Sequence, residues 1–369
     1  NIAVKGVAPD YLSYLETAVK SIDFNGASMV LTGLICFYIL MCVLEIPLWL
    51  AIAGAIAFAF ASYNFIIIEA GHITKAYVIA YMPLTIAGML LLFRSRFLWG
   101  AVLFTLGVAL SIINGHLQIT YYLALLCFIM YIGYAWEKIK EKAFAPLAKT
   151  SAVLLICVIL AVLPNLGNLY ANWEMSKTSL RGPTELTQTT TGSAEKVSDG
   201  LDKDYAFTWS YGKSELLTLL VPNAYGGASG GTLDDSSELY KELRSKGAQV
   251  GADVQTYTYW GDKIFTSGPV YFGALICFLF VLGMFVVPNK MKWWMFGGSV
   301  FLVFLALGKN FDSFNDIMFH HLPMYNKFRT VEMALVIPGL VFPLIALWGL
   351  KEVLTGKVEV QLLKRAMLT

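Results

Sequence analysis

An all-α polytopic membrane protein is the fold class predicted, and three observations predict it. Of 369 residues, 57% are hydrophobic and only 14% charged, where a soluble domain carries about 25% charged residues. Mean hydropathy is +0.64. The apolar residues lie in long blocks free of Asp, Glu, Lys and Arg. This composition excludes a disordered chain, a nucleic-acid binder and an ordinary soluble enzyme. The net charge of +2 is too small to call for an anionic polymer as partner.

A helix needs about 17–25 apolar residues to cross hydrocarbon about 30 Å thick. Nine blocks qualify: 27–44, 47–62, 76–93, 97–113, 117–134, 150–170, 269–287, 293–308 and 333–350. The second and eighth are short, which suits a tilted or re-entrant segment. Trp49, Trp99, Trp136, Trp293, Trp294 and Trp348 lie near block ends, as an interfacial belt requires. Alternate connections differ in charge. Residues 45–46, 94–96, 135–149, 288–292 and 351–369 hold 12 basic and 5 acidic residues, and the remainder holds 15 basic and 20 acidic. By the positive-inside rule the first set is cytoplasmic. The tail 351–369 is then inside, and residues 1–26 form the end of an outer loop. A polar outer N-terminal stretch with no signal peptide leads us to expect at least one earlier span upstream of Asn1.

The expected organisation is a six-helix membrane region (27–170), a small outer cap (171–267) between the sixth and seventh spans, and a three-helix region (268–350). In the cap, helices are predicted over Ser214–Leu220 and Asp234–Lys246, with a Gly-rich turn from Asn223 to Gly231 between them. Its aromatic residues, Tyr205, Trp209, Tyr211, Tyr225, Tyr257, Tyr259 and Trp260, suit either sugar stacking or simple packing. Residues 309–330 read as an amphipathic interfacial helix ended at Pro323. All five cysteines fall inside spans, where they act as small packing residues.

Four polar clusters sit at the outer ends of the spans. Glu69, His72 and Lys75 bring a carboxylate, an imidazole and an ammonium within seven residues at a dielectric boundary, where desolvation strengthens charge interactions. The bland alternative is interfacial anchoring. Asn114, His116 and Gln118 lie in a tight hairpin and suit either ligand hydrogen bonds or helix capping. Tyr325, Asn326, Lys327 and Arg329 place a guanidinium fork and a point charge where a lipid phosphate would lie, or where headgroups anchor. Asp312, Asp316 and His320 recur at i, i+4, i+8, a pattern of a solvated face or of a divalent cation, the one cofactor the chain invites. Glu69-x-x-His72 has no second copy, so a di-iron carboxylate site is rejected. P-loop, HExxH and CxxC motifs do not occur.

Four stretches carry a family resemblance: Glu69-Ala-Gly-His-Ile-Thr-Lys-Ala76, Gly115-His-Leu-Gln-Ile-Thr-Tyr-Tyr122, Phe265-Thr-Ser-Gly-Pro-Val-Tyr-Phe-Gly273 and Tyr325-Asn-Lys-Phe-Arg-Thr-Val331. Together they resemble the bacterial YfhO-type membrane proteins, nearest their Bacteroidetes-type branch, over residues 1–350. That family is similar to GT-C glycosyltransferases. The resemblance implies a bacterial inner-membrane enzyme that moves a sugar from a polyprenyl-phosphate donor to a cell-envelope glycan on the outer face. It implies that Lys75, Lys327 and Arg329 hold the donor phosphate, that Glu69 and His72 orient acceptor or metal as catalytic groups, and that Asn114, His116, Gln118, Tyr325 and Asn326 line the substrate. In GT-C enzymes the principal carboxylate usually lies in the first outer loop. Asp10, Glu16 and Asp23 are thus lesser candidates, and the expected base lies upstream, leaving this stretch inactive alone. The rivals are a transporter or flippase of lipid-linked sugars and a noncatalytic scaffold of envelope assembly; the charge-free spans argue against transport.

Overall fold

The computed structural model describes residues 11–21, 26–182, 200–232, 234–248 and 255–356. Of the lesser candidates, Asp10 and Asp23 lie outside these residues, as does the tail from residue 357.

Helices build nearly everything. In order they are α1 (Tyr11–Lys20), α2 (Ala27–Val43), α3 (Leu48–Ala59), α4 (Ser62–Glu69), α5 (Ile73–Phe93), α6 (Phe97–Ile113), α7 (Leu117–Lys140), α8 (Phe144–Val162) and α9 (Leu166–Lys177). Then come α10 (Lys203–Ala206), strand β1 (Gly226–Thr232), α11 (Glu238–Ser245), strand β2 (Gln255–Tyr259), α12 (Ala274–Val286), α13 (Met291–Ala306), α14 (Asp312–His321) and α15 (Val336–Leu354). Helix follows sequence closely here, because each apolar block is bounded by a short polar or glycine-bearing turn such as Gly71-His72 or Gly115-His116.

Four helical segments are long and apolar enough to cross a membrane: Ile73–Phe93, Leu117–Lys140, Phe144–Lys177 and Val331–Leu354. The number is six if each of two bent pairs is one span. In the first pair α3 and α4 meet at 43°, and in the second α13 and the helical run Gly308–His321 meet at 113°. Three further apolar helices, α2, α6 and α12, have 17, 17 and 13 residues. The expected nine blocks are therefore all helical, but five of them are shorter or broken. The physical reason lies in the turns. Leu44 to Pro47 and Arg94 to Arg96 close their helices with few residues to spare, and Gly268 to Gly273 is non-helical before α12 begins. At the other extreme, Phe144–Lys177 has 34 residues and is about 50 Å long at 1.5 Å per residue, longer than the hydrocarbon it would cross.

Helix α5 is the central post. Most of its length is buried, and it packs on α2, α6 and α7. Its approach to α6 is close because small residues meet there: a Cβ on Gly88 would lie 2.2 Å from the Phe104 backbone nitrogen, and one on Gly107 would lie 2.5 Å from Thr85 Oγ1. Small residues at crossings are how apolar helices gain dispersion contact without a hydrophobic drive. Gly88→Val is accordingly expected to destabilise the protein by about 1–3 kcal/mol, read as a lowered melting temperature in detergent. Gly297→Val, where an added Cβ meets nothing within 4 Å, is the matched control and should melt near wild type.

The cap contains a small sheet that the sequence reading places as a turn. Strand β1, Gly-Gly-Ala-Ser-Gly-Gly-Thr, pairs antiparallel with β2, Gln-Thr-Tyr-Thr-Tyr, through Gly226↔Tyr259 and Gly230↔Tyr257 to Thr232↔Gln255, with a register shift between Gly226 and Gly230. Gly226 sits at φ +85°, and a Cβ there would overlap Thr258 O, a conformation and an approach that only glycine allows. Of the two cap helices expected, the first is a 3-10 turn over Ser214–Leu219 and the second is α11. The cap is sewn to the chain after α13. Tyr211 N donates to Ala306 O at 2.9 Å, Asn310 Nδ2 to Tyr211 O at 2.8 Å, and Leu201 N to Asn326 O at 2.9 Å.

A candidate anion site beneath the cap

Three stretches far apart in sequence meet at the cap end of the helices. Gln118, in the first turn of α7, is buried. Its Nε2 donates to Arg329 O at 2.7 Å and to Tyr122 OH at 2.9 Å. Tyr121 OH donates to Pro323 O at 2.7 Å, and its ring packs on Phe328 at 5.1 Å. The stretch 323–330 is thus clamped onto the start of α7. The start of α5 approaches from the other side, where Lys75 feels the charges of both Glu332 and Arg329.

The electrostatics mark this as one cationic neighbourhood. Burial and, second, the Lys75 ammonium push the His116 imidazole down to about 4, with His72 and Arg181 adding to the effect. His72 is lowered for the same two reasons, burial first and then Lys75. Both imidazoles are neutral at pH 7, and the positive charge belongs to Lys75, Arg181, Lys327 and Arg329. His116 Nδ1 and Asn114 Oδ1 are buried without a hydrogen-bond partner among the described residues.

A pH dependence follows. The folded pKa of His116 lies below its ordinary value of about 6.5, so protonation favours the unfolded chain. The stabilisation is complete above about pH 6.5 and is lost as pH falls from there to about 4, on the order of 2–3 kcal/mol at the end of that window. Thermal melts between pH 7.5 and 4.5 should show the loss, and His116→Gln should flatten it.

The other expected site residues are placed as follows. Glu69 ends α4 on the surface, with its carboxylate in no ion pair among the described residues. Tyr325 is buried and its OH donates to Asn315 Oδ1 at 2.9 Å, so its ring packs the core beneath the site; burial holds its hydroxyl well above the usual phenol range. Asn114 is buried and caps α6, Nδ2 donating to Leu110 O at 2.8 Å. Asn326 holds the cap through its carbonyl. Lys327 Nζ reaches Arg181 O at 2.9 Å, and Arg329 donates to Tyr205 OH at 2.5 Å while lying over that ring. Glu16 pairs with Lys20 within α1.

Asp312 and Asp316 do share a face, and a cation does sit between them, but it belongs to the chain: Lys203 Nζ lies 2.9 Å from one carboxylate and 2.6 Å from the other. The two carboxylates hold the Lys203 ammonium above its usual range. Among the described residues no group of three or more His, Cys, Asp or Glu is arranged to hold a metal ion.

Two charged residues escape the sequence reading. Lys263, in the chain between β2 and α12, and Glu332, at the mouth of the last helix, are both largely buried, with Lys263 Nζ 3.0 Å from Glu332 Oε2. Lys263 also lies over the Tyr211 ring at 5.3 Å. The available signal was a basic residue in the Tyr-Trp-Gly-Asp-Lys run of the cap and an acid immediately ahead of a span; each reads equally well as ordinary loop polarity.

Two small apolar voids lie close in the chain to Lys75 and Glu332. One void is lined by Met29, Gly33, Phe58, Asn64, Ala76 and Ile79, and a second by Phe58, Asn64, Ile79, Phe272, Leu335 and Gly339. Ala76 and Ile79 follow Lys75 within one turn, and Leu335 follows Glu332 by three residues. Both voids flank the α3–α4 bend, which Asn64 braces by donating to Phe58 O at 2.9 Å.

No protein-family model matches the chain, and no curated protein or solved structure is significantly similar to it. The geometry therefore carries the functional argument.

Proposed function

We propose that the protein is a membrane glycosyltransferase of the GT-C-like, YfhO type, moving a sugar from a polyprenyl-phosphate donor to a cell-envelope acceptor at the cap side of a bacterial inner membrane. In this reading the nine apolar helices, including the short and bent ones, all lie in the bilayer, the cap faces outward and residues 351–369 are cytoplasmic. One observation carries the reading: Gln118 and Tyr121 tie 114–122 to 323–330, and Lys75 of the 69–75 stretch lies in the same cationic neighbourhood, at the end of a bundle of apolar helices. A lipid phosphate has that same division, an anionic head on an apolar tail.

The chemistry suits the charges. Cleaving a glycosyl phosphate places negative charge on the leaving phosphate, and preorganised cations beside it lower the barrier. Lys75 and Arg329 are the principal phosphate ligands, Lys327 a lesser one because its ammonium already holds Arg181 O. Neutral His72 and His116 donate or accept one hydrogen bond each to the sugar or acceptor. Glu69 stands at the exposed rim, near His72, where an acceptor hydroxyl would arrive; a carboxylate is needed there to take its proton as an oxocarbenium-like state forms. The test is transfer of label from polyprenyl-phosphate sugars to a non-lipid product by the intact protein in membranes with native envelope extract. Protein-dependent movement of the donor across the bilayer without transfer would instead favour the flippase.

A further inference from the structure

We infer that the turn over residues 213–221 is a membrane-docking foot of the cap. Its exposed apolar side chains enter the headgroup–acyl boundary of the leaflet on the cap side, and Lys213 and Lys309 lie at the lipid phosphates beside them. The inference shares with the reading above only the placement of α12 and α13 in a bilayer, and is independent of sugar transfer.

The turn is built inside out for water. Its polar side chains point inward: Glu215 and Thr218 are fully buried. The Glu215 carboxylate accepts from Gly212 N and Tyr259 OH, and Thr218 Oγ1 donates to Glu215 O at 2.8 Å and pairs with the Tyr211 hydroxyl. Its apolar side chains point outward: Leu217, Leu220 and Val221 are 52%, 44% and 45% exposed. Burying a carboxylate while exposing leucines reverses what water favours. It suits a lipid surface, where polar groups must be satisfied within the protein. The backbone meets that demand too, since Leu220 N and Val221 N donate to Leu217 O at 3.1 and 2.8 Å.

Depth is the second observation. Counted from the polar turn 288–292, the 13 residues of α12 rise about 20 Å at 1.5 Å per residue. That is about 10 Å short of the far edge of hydrocarbon about 30 Å thick, and any tilt widens the shortfall. The 16 residues of α13 rise about 24 Å. The turn sits at the cap-side ends of both helices. Leu219 O accepts from Phe272 N at 3.0 Å and from Cys277 Sγ at 3.6 Å, level with the first turn of α12, while Tyr211 N donates to Ala306 O at the end of α13. The turn thus lies at the depth where α12 exposes its own Leu275 and Phe278. Lys213 and Lys309 are both exposed. Lys213 Nζ lies over the Phe311 ring at 6.0 Å, and Lys309 N donates to Ser210 Oγ at 3.0 Å. Lysines beside an apolar patch reach headgroups along their own apolar stems.

The test uses the intact protein in vesicles of phosphatidylethanolamine and phosphatidylglycerol, with one aliphatic diazirine side chain incorporated at Leu217, Leu220, Val281 or Ser245. Each position is exposed, so the probe displaces no packed side chain. Val281 on α12 reports lipid, and Ser245 on the charged helix α11 reports water. After illumination, the yield of lipid adducts by mass spectrometry at Leu217 and Leu220 should come within about twofold of Val281 and exceed Ser245 roughly tenfold, as insertion by about 5–10 Å requires. Lipid adducts at Val281, with water addition or a cross-link to a second copy at Leu217 and Leu220, would overturn the inference and leave α12 in the bilayer. No lipid adduct at Val281 would mean that α12 does not face acyl chains, and the placement of the helices and the inference would fail together.

Discussion

Arg329→Ala is expected to lower sugar transfer from a polyprenyl-phosphate donor at least tenfold, about 1.4 kcal/mol of barrier. The side chain is exposed at the cap side of the site and is aimed by two contacts, the Tyr205 hydroxyl and ring, while its own carbonyl is clamped by Gln118. A guanidinium so held is preorganised for a phosphate. Because the charge is removed from the surface and not from the core, folding should be little changed. Arg329→Lys keeps the charge but loses the fork, and should recover only part of the rate. Initial rates of label transfer in membranes, normalised to protein amount, check the order wild type, Lys, Ala.

Lys263→Met is expected to have the largest effect on stability, a loss on the order of 3–5 kcal/mol. The methionine fills much of the same volume, so the loss comes from leaving the Glu332 carboxylate, 15% exposed, without its close partner. The effect should be visible as a lowered melting temperature in detergent and as faster proteolysis within the cap, since Lys263 ties the cap to the mouth of α15. Lys241→Met, on the exposed face of α11 and paired only with Glu238, is the surface comparison and should melt within about 0.5 kcal/mol of wild type.

The helical frame was readable in the sequence because apolar blocks and their polar turns are large signals. The start and stop of α6 at Phe97 and Ile113 coincide with the block, since Arg96 and Asn114 mark both ends. The shortness of the second block pointed to an irregular segment, and α3 and α4 are one of the two bent pairs, but the position of the break was not readable. It falls at Phe60-Ala61, with neither Gly nor Pro to announce it, and is held by Asn64 and by Ser62 Oγ against the backbone of Pro269 and Tyr271. Those partners are some 200 residues away. The β1–β2 pair was missed because its first strand is mostly glycine, which reads as turn until a partner strand fixes it.

The site divides in the same way. The stretches 69–75, 114–122 and 325–331 stand out because polar residues at helix ends are conspicuous in an apolar chain. Tyr325 looked like part of the site but packs beneath it, as the helical spacing of Phe311, Phe314 and Met318 around Asn315 allows. Glu332 could not be found from spacing, since its ion-pair partner is Lys263, in the chain before α12. Charge pairing across tertiary distance leaves no local pattern.

The most direct test of the account is a transfer assay with labelled polyprenyl-phosphate sugars and native envelope extract, comparing wild type, Lys75→Ala and Arg329→Ala in membranes. The account predicts label in a non-lipid glycan with wild type and at least a tenfold drop with either variant. Label that remains lipid-linked with every donor while crossing the bilayer in a protein-dependent way would contradict it.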